Sequence, residues 1–327
     1  MVNLREILEL LADNTLKTGL PVPIPKNEIY EWAEPLGLKR DGDTYLFTGA
    51  LYQLIPYIES LVKYLESMES KQRASKLLVK ASRVLTSIPS LSKLALRPSK
   101  ESIENSRRIL RSIATLLNTA GVDYAYLYED DMYSGILLYD LGLEEEFSRH
   151  ARSVYEKLKT RGAKRILTVD PHTTHALREI YPKFIDGFDL EVINYIELLD
   201  TKLRVEPKTA NKEIEVVIHD PCYYARFEGI IEQPRRLLRI AGIKPLEPKR
   251  TRDLTYCCGG PIEAISPHLS ARIAKTRLEE LSSVSTRIVT MCPICYSSLS
   301  RVASSGIEIK DIALYIAESL AGEKSLE

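Results

Sequence analysis

Arg287-Ile288-Val289-Thr290-Met291-Cys292-Pro293-Ile294-Cys295 reads as a short buried strand that runs directly into the first turn of a helix. The apolar Ile288-Val289 core is the length of a buried strand, and Pro293 stands where proline is favoured, at the first helical position. The same grammar recurs twice upstream. Glu213 to His219 carries Val216-Val217-Ile218 before Asp220-Pro221-Cys222, and Arg165 to Val169 carries Ile166-Leu167 before Asp170-Pro171. Asp170 suits an N-cap. Helical stripes accompany these strands: between the cysteine blocks Ser266 and Pro267 open one with Ala274, Leu278 and Leu281 at i, i+4 and i+7, and another runs from Pro56 with Ile58, Leu61, Val62 and Leu65 inward. Strands alternating with helices in two similar halves predict an α/β fold with parallel sheets. In such sheets ligand sites gather outside the carboxyl ends of the strands, where each of these blocks falls.

All five cysteines lie in the last third of the chain, as Cys222, the adjacent pair Cys257 and Cys258, and the knuckle Cys292 and Cys295. A lone free cysteine behaves as a small buried hydrophobe, but an apolar face requires neither a vicinal pair nor a C-x-x-C. Soft thiolates select iron-sulfur clusters, zinc or copper(I). A structural zinc takes four tetrahedral ligands, commonly from two knuckles, whereas this chain has one knuckle, one pair and a distant fifth thiol. Two adjacent side chains diverge and suit two neighbouring metal ions better than one, so a cluster with several irons is favoured over zinc. The tight C-x2-C-x2-C run of simple ferredoxins is absent.

The blocks His219-Asp220-Pro221-Cys222, Tyr256-Cys257-Cys258-Gly259-Gly260 and Met291-Cys292-Pro293-Ile294-Cys295 resemble the cysteine-rich CCG domain. That domain is known from the B-type component of heterodisulfide reductase, its fused D-type relative, and the iron-sulfur subunits of glycolate, lactate and glycerol-3-phosphate dehydrogenases. The resemblance implies that Cys222, Cys257, Cys258, Cys292 and Cys295 hold one noncubane 4Fe-4S cluster. Gly259 and Gly260, lacking a β-carbon, are expected to let backbone approach that cluster, and donors at the helix N-termini would raise its potential.

The family carries two such domains in tandem, and the first half holds matching blocks in order without the thiols. Ala50 ends the block Tyr45-Leu46-Phe47-Thr48-Gly49-Ala50, Tyr133 and Ser134 replace the pair, and Asp170 and Thr173 replace the knuckle. The expected organisation is a helical linker over residues 1–40, a degenerate CCG-like domain over 41–205 with a helical insertion at about 63–111, and an intact CCG domain over 206–327. Both domains are expected to be Rossmann-like. The insertion, rich in Lys, Arg, Ser and Leu, reads as a pair of surface helices separated near Pro89 and Pro98. The stretch from Asp13 to Glu34 resembles the linker that follows a two-cluster ferredoxin domain in fused relatives, which implies that a separate ferredoxin-like iron-sulfur subunit supplies that part, with a flavoprotein as a further partner.

Forty-five basic residues balance 45 acidic ones, so there is no field suited to nucleic acid. No apolar run has the length to cross a bilayer, and the opening residues lack a signal peptide's apolar core, so a cytoplasmic location is expected, with any membrane association made through a partner. His219 and His268 flank the cysteine blocks and are candidates for tuning a cluster, while His172 and His175 with Asp170 form a candidate metal set of their own; a structural role is the plainer expectation for all four. The function implied is an electron-transfer subunit of a heterodisulfide-reductase-like oxidoreductase complex acting on a thiol or disulfide. Its alternatives are the iron-sulfur subunit of a flavin-linked dehydrogenase, a single-cluster enzyme that binds a substrate thiol at iron, and a zinc-binding scaffold.

Overall fold

The computed structural model describes residues 4–72, 97–204, 214–263 and 265–321. Among the described residues eight strands form two four-stranded sheets. The first holds β1 (Thr44–Phe47), β2 (Ala125–Tyr126), β3 (Arg165–Thr168) and β4 (Glu191–Asn194) in the order β2-β1-β3-β4. The second holds β5 (Ile214–Ile218), β6 (Ile243–Leu246), β7 (Arg287–Thr290) and β8 (Glu308–Asp311) in the order β6-β5-β7-β8. Every pairing is parallel. The same topology therefore occurs twice, each sheet placing its first strand between its second and third. This is the α/β repeat that the strand-to-helix blocks imply, and all three predicted strands are present, Glu213 lying just outside the described residues.

Side chains alternate across each strand, and that alternation divides the interior into layers. Leu46 and Leu167 of the first sheet and Val216, Ile218 and Val289 of the second point into one shared core, while Tyr45, Phe47 and Ile166 face a core of the first half and Val217 and Ile288 a smaller core of the second. A direct hydrogen bond also joins the halves, from Tyr52 Oη to Asp311 Oδ2 at 2.7 Å. The two sheets are thus held in one orientation by burial.

Three elements differ from expectation. The helix anticipated from Pro56 begins at Leu51 and carries Pro56 inside it. Its start is set by a turn in which Thr48 Oγ1 accepts the Ala50 N–H at 3.1 Å and Ala50 adopts φ 53°. Val62 is buried and Ile58 and Leu61 half-buried, while the side chain of Leu65 falls outside the described part. Residues 100–111, expected on a surface insertion, begin the Lys100–Thr119 helix. Ser99 caps it by accepting the Ser102 N–H, and Ile109, Leu110, Ile113, Leu116 and Leu117 are buried in the shared core. Spacing of i, i+4 and i+7 puts these apolar groups on one face, and their burial at about 1.5–3 kcal/mol each outweighs the polar composition of the rest. Pro89 lies outside the described residues. The anticipated N-terminal linker is likewise packed: Leu4–Thr18 forms a helix against Glu144–Thr160, and Trp32 is fully buried, its Nε1 donating to Tyr126 Oη at 3.1 Å. No helix among the described residues is long and apolar enough to cross a membrane.

Candidate metal centre

The five cysteines meet at the carboxyl edge of the second sheet. Cys222 follows β5 by way of His219-Asp220-Pro221, and Cys292 follows β7 and is the N-cap of the Pro293–Val302 helix, whose first turn carries Cys295. The Cys257–Cys258 pair lies in the loop between β6 and the Pro267–Ser282 helix, and Ser298 Oγ ties it down by donating to the Cys258 carbonyl at 2.9 Å. In side-chain contact the thiols form a line: Cys222 meets Cys257, Cys257 meets Cys258, Cys258 meets Cys295, and Cys295 meets Cys292. Cys258, Cys292 and Cys295 are buried, whereas Cys222 and Cys257 are half-buried. The line therefore runs from solvent into the interior.

Hydrogen bonding sorts the thiols. Cys222 and Cys258 neighbour Cys257, whose sulfur also accepts the Gly259 N–H at 3.3 Å, and these groups draw the Cys257 thiol down to about 2 despite burial. Burial opposes ionisation of Cys292, yet Cys295 and His172 bring it down to about 5. Cys222 and Cys258 are pushed up by neighbouring Cys257, and Cys295 by neighbouring Cys258 and Cys292. The neighbours thus favour the thiolate at Cys257 and Cys292 and the thiol at Cys222, Cys258 and Cys295, and metal binding, which needs thiolates, would release the remaining protons. Because the thiolate is the nucleophile, iodoacetamide is expected to modify half-exposed Cys257 before any other cysteine of the metal-free chain, at a rate nearly flat from about pH 5 to 8; peptide mass mapping reads this, and faster labelling of Cys222 would contradict it.

A buried polar framework pins the Asp220 turn. Arg235, fully buried, donates to both carboxylate oxygens of Asp220 at 2.8 and 2.9 Å and to Glu247 at 2.7 and 2.8 Å. Asp220 also accepts the Arg252 N–H at 2.7 Å, and its carbonyl accepts Thr255 Oγ1 at 2.8 Å. Thus the loop leading to Cys222 is tied to the loop leading to Cys257.

Neither Gly259 nor Gly260 has room for a β-carbon. Gly259 holds φ +83°, and a β-carbon there would sit 2.7 Å from the Ser270 carbonyl oxygen; one on Gly260 would sit 2.1 Å from Ile294 Cγ2 and 3.5 Å from Cys258 Sγ. Gly135 of the first half occupies the matching turn with φ +82° and would meet His150 at 2.8 Å. Gly259→Val combines a left-handed backbone with a backbone clash, so a loss of more than about 1–3 kcal/mol is expected. Thermal unfolding checks it, with Gly135→Val as the comparison at the equivalent turn; an unchanged Tm in both would contradict the reading.

At the equivalent edge of the first sheet the thiol positions are filled by oxygen and carbon. Asp170 caps the Pro171–His175 helix, its Oδ1 accepting the His172 and Thr173 N–H groups at 2.9 Å each. Ser134 Oγ, Asp170 Oδ2 and Thr173 Oγ1 are buried without a hydrogen-bond partner, and burial lifts the Asp170 carboxyl to about 6. His172, His175 and Asp170 do not converge as a metal set: His175 Nδ1 meets Glu228 at 2.7 Å, while the His172 side chain neighbours Cys292 of the second half. Tyr223, next to Cys222, stacks on His172 at 4.3 Å between ring centroids and donates to Asp140 at 2.6 Å. The first half therefore supplies a wall of the thiol site. Position beside Cys222 was the one sequence signal for Tyr223, and His172 had none for this role. His268 is exposed.

Fold and site together define a cysteine-rich α/β protein built as a structural repeat, with thiols at one of its two equivalent edges. Residues 216–300 match the family of the cysteine-rich domain named CCG, so the second half carries that domain. Over 229 residues the chain is 29% identical to the probable iron-sulfur-binding oxidoreductase FadF of Bacillus subtilis, covering 66% of this chain and 32% of that protein. It is 30% identical over 207 residues to the EtfAB:quinone oxidoreductase of Syntrophomonas wolfei, covering 59% and 29%. With the D-type component of the dihydromethanophenazine:CoB–CoM heterodisulfide reductase of Methanosarcina mazei it shares 27% identity over 235 residues, covering 67% and 57%. The chain thus spans from under a third to somewhat over half of the length of these relatives.

Proposed function

We propose that this chain is the iron-sulfur electron-transfer subunit of a heterodisulfide-reductase-like oxidoreductase complex, with Cys222, Cys257, Cys258, Cys292 and Cys295 holding one noncubane 4Fe-4S cluster. The observation that carries this reading is the unbroken line of five thiols from half-exposed Cys222 to buried Cys292. A single tetrahedral zinc needs four donors around one point, about 2.0–2.3 Å from the ion. Among the described residues the one group of three ligand-type atoms within 4.8 Å of one another is His219, Cys258 and Cys295, too few for that ion and only two of the five sulfurs. A donor set spread along a line suits several irons.

When bound, such a cluster supplies one-electron transfer next to a surface that can take up sulfur. The chain's own residues shape its use. Cys258, Cys292 and Cys295 are closed off from water, so transfer with solvent-borne partners is confined to the side of Cys222 and Cys257. The Gly259 N–H directs hydrogen toward Cys257 and His172 lies against Cys292 at the buried end, and donors to sulfur raise a cluster's reduction potential. With thiols at one edge only, the other sheet offers no second cluster, and two-electron cleavage of a disulfide requires a partner to supply the second electron. A ferredoxin-like iron-sulfur subunit and a flavoprotein are the proposed partners, in keeping with relatives that are longer than this chain. The similarity to an EtfAB:quinone oxidoreductase favours, as a second reading, delivery of electrons toward a quinone.

Anaerobic purification tests the proposal. About four irons and four sulfides per chain, a brown colour and a paramagnetic signal on oxidation or reduction are expected, with changes in that signal on adding thiol if sulfur binds at the cluster. One zinc per chain with no colour would overturn it.

A further inference from the structure

His219 directly follows β5 and is 1% exposed, with its backbone N–H given to the Val289 carbonyl. One ring nitrogen is engaged by a fully buried arginine: Arg277 Nε donates to His219 Nδ1 at 3.1 Å. The same guanidinium donates to the Arg250 carbonyl at 2.8 Å and to Glu280 Oε2 at 3.2 Å, which fix its place on the Pro267–Ser282 helix. A guanidinium has five donors and no acceptor, and it stays protonated in proteins. Nδ1 must therefore present its lone pair to Arg277, and the proton of a neutral imidazole must sit on Nε2. A positive charge so close disfavours the imidazolium, as does burial, and the His219 ring is held well below its ordinary range.

Nε2 is buried and has no hydrogen-bond partner. A ring nitrogen of His219 lies within 4.8 Å of the sulfurs of Cys258 and Cys295, and since Nδ1 is engaged by Arg277 and Nε2 is unpartnered, we infer that Nε2 is the nitrogen available to them. A nitrogen bearing hydrogen has no lone pair for a metal ion. The trio His219, Cys258 and Cys295, which by distance alone resembles part of a zinc site, is excluded as a ligand set by this tautomer.

We propose that, in the metal centre proposed above, His219 is an N–H donor to sulfur at the Cys258–Cys295 side and not a ligand, and that Arg277 is the positioning residue that locks the tautomer required for it. An orphaned donor buried beside sulfur is costly in the metal-free chain and is satisfied once anionic sulfur is assembled there. Loss of the donor lowers the reduction potential of the centre without removing metal.

The test uses the full chain, anaerobically reconstituted with iron and sulfide, and three variants. His219→Met removes the donor, His219→Gln retains an N–H near the Nε2 position, and Arg277→Gln offers Nδ1 either a donor or an acceptor. The expected result is wild-type iron content in both His219 variants, a roughly tenfold shift of the redox equilibrium toward the oxidised form in His219→Met, equal to about 59 mV for one electron, and partial restoration in His219→Gln. Arg277→Gln shifts the same way. An unchanged potential in His219→Met, or iron loss in His219→Gln as severe as that of Cys258→Ala, overturns the donor role, and an unchanged potential in Arg277→Gln overturns the locking role. Imidazole nitrogen NMR of the metal-free chain is expected to show hydrogen on Nε2 and none on Nδ1. A chain that takes up zinc alone overturns the cluster reading, whereas the NMR spectrum judges the tautomer separately: a proton on Nδ1 there overturns this inference whatever metal is bound.

Discussion

Cys258→Ala is expected to give a folded chain that retains less than about a tenth of the wild-type iron, the largest effect of any single cysteine. Cys258 sits at the middle of the thiol line, touching Cys257 on one side and Cys295 on the other, so its removal leaves two separated pairs, Cys222 with Cys257 and Cys292 with Cys295. Neither pair can hold a cluster that needs continuous sulfur. Folding should survive, because the change deletes one buried sulfur atom next to other small groups, a cost of about 1 kcal/mol on the scale of large-to-small core substitutions. Cys222→Ala, at the half-exposed end, removes a terminal member and is expected to leave a larger fraction of the iron in a labile form. Iron analysis with circular dichroism on the same samples reads both. Full iron content in Cys258→Ala would remove the line of thiols as the basis of the site.

Arg235→Met carries the largest expected effect on stability, about 3–5 kcal/mol, because it strands the Asp220 carboxylate in a site 1% exposed. Arg235 itself is held above its usual range: burial opposes the charge, but bonds to Glu247 and Asp220 overcome it. The loss comes mainly from the charge left unpaired, so the double variant Asp220→Asn with Arg235→Met should recover much of it, as replacing both members of a buried pair does. Urea unfolding of the single and double variants distinguishes these outcomes. A single-variant loss below about 1 kcal/mol would mean that water reaches Asp220. The same substitution frees the turns bearing Cys222 and Cys257, so iron content should fall along with stability.

Local signals make much of this protein readable along the chain. Ile288-Val289 followed by Cys292-Pro293, and Ile166-Leu167 followed by Asp170-Pro171, announce a strand entering a helix because period, length and the N1 preference of proline are properties of a few adjacent residues. The repeat is equally local in its marks, and the left-handed turns at Gly135 and Gly259 agree within a degree. Helix placement was less legible where packing decides it. The Lys100–Thr119 helix looked like a solvated addition because its charges are visible in the sequence, while one of its packing partners, the Ile312–Ala321 helix, lies about 200 residues away in the chain.

The sequence alone determined the α/β repeat, the grouping of five thiols and their absence from the first half, since each is written in spacing and residue type over short stretches. Only the tertiary structure decided that His172 of the thiol-free half reaches Cys292, that Arg235 clamps Asp220, and that Arg277 dictates which nitrogen of His219 carries hydrogen. These contacts join residues 15 to 120 positions apart, and direction and protonation at a buried atom depend on which neighbour faces it, a quantity that no pattern along the chain encodes.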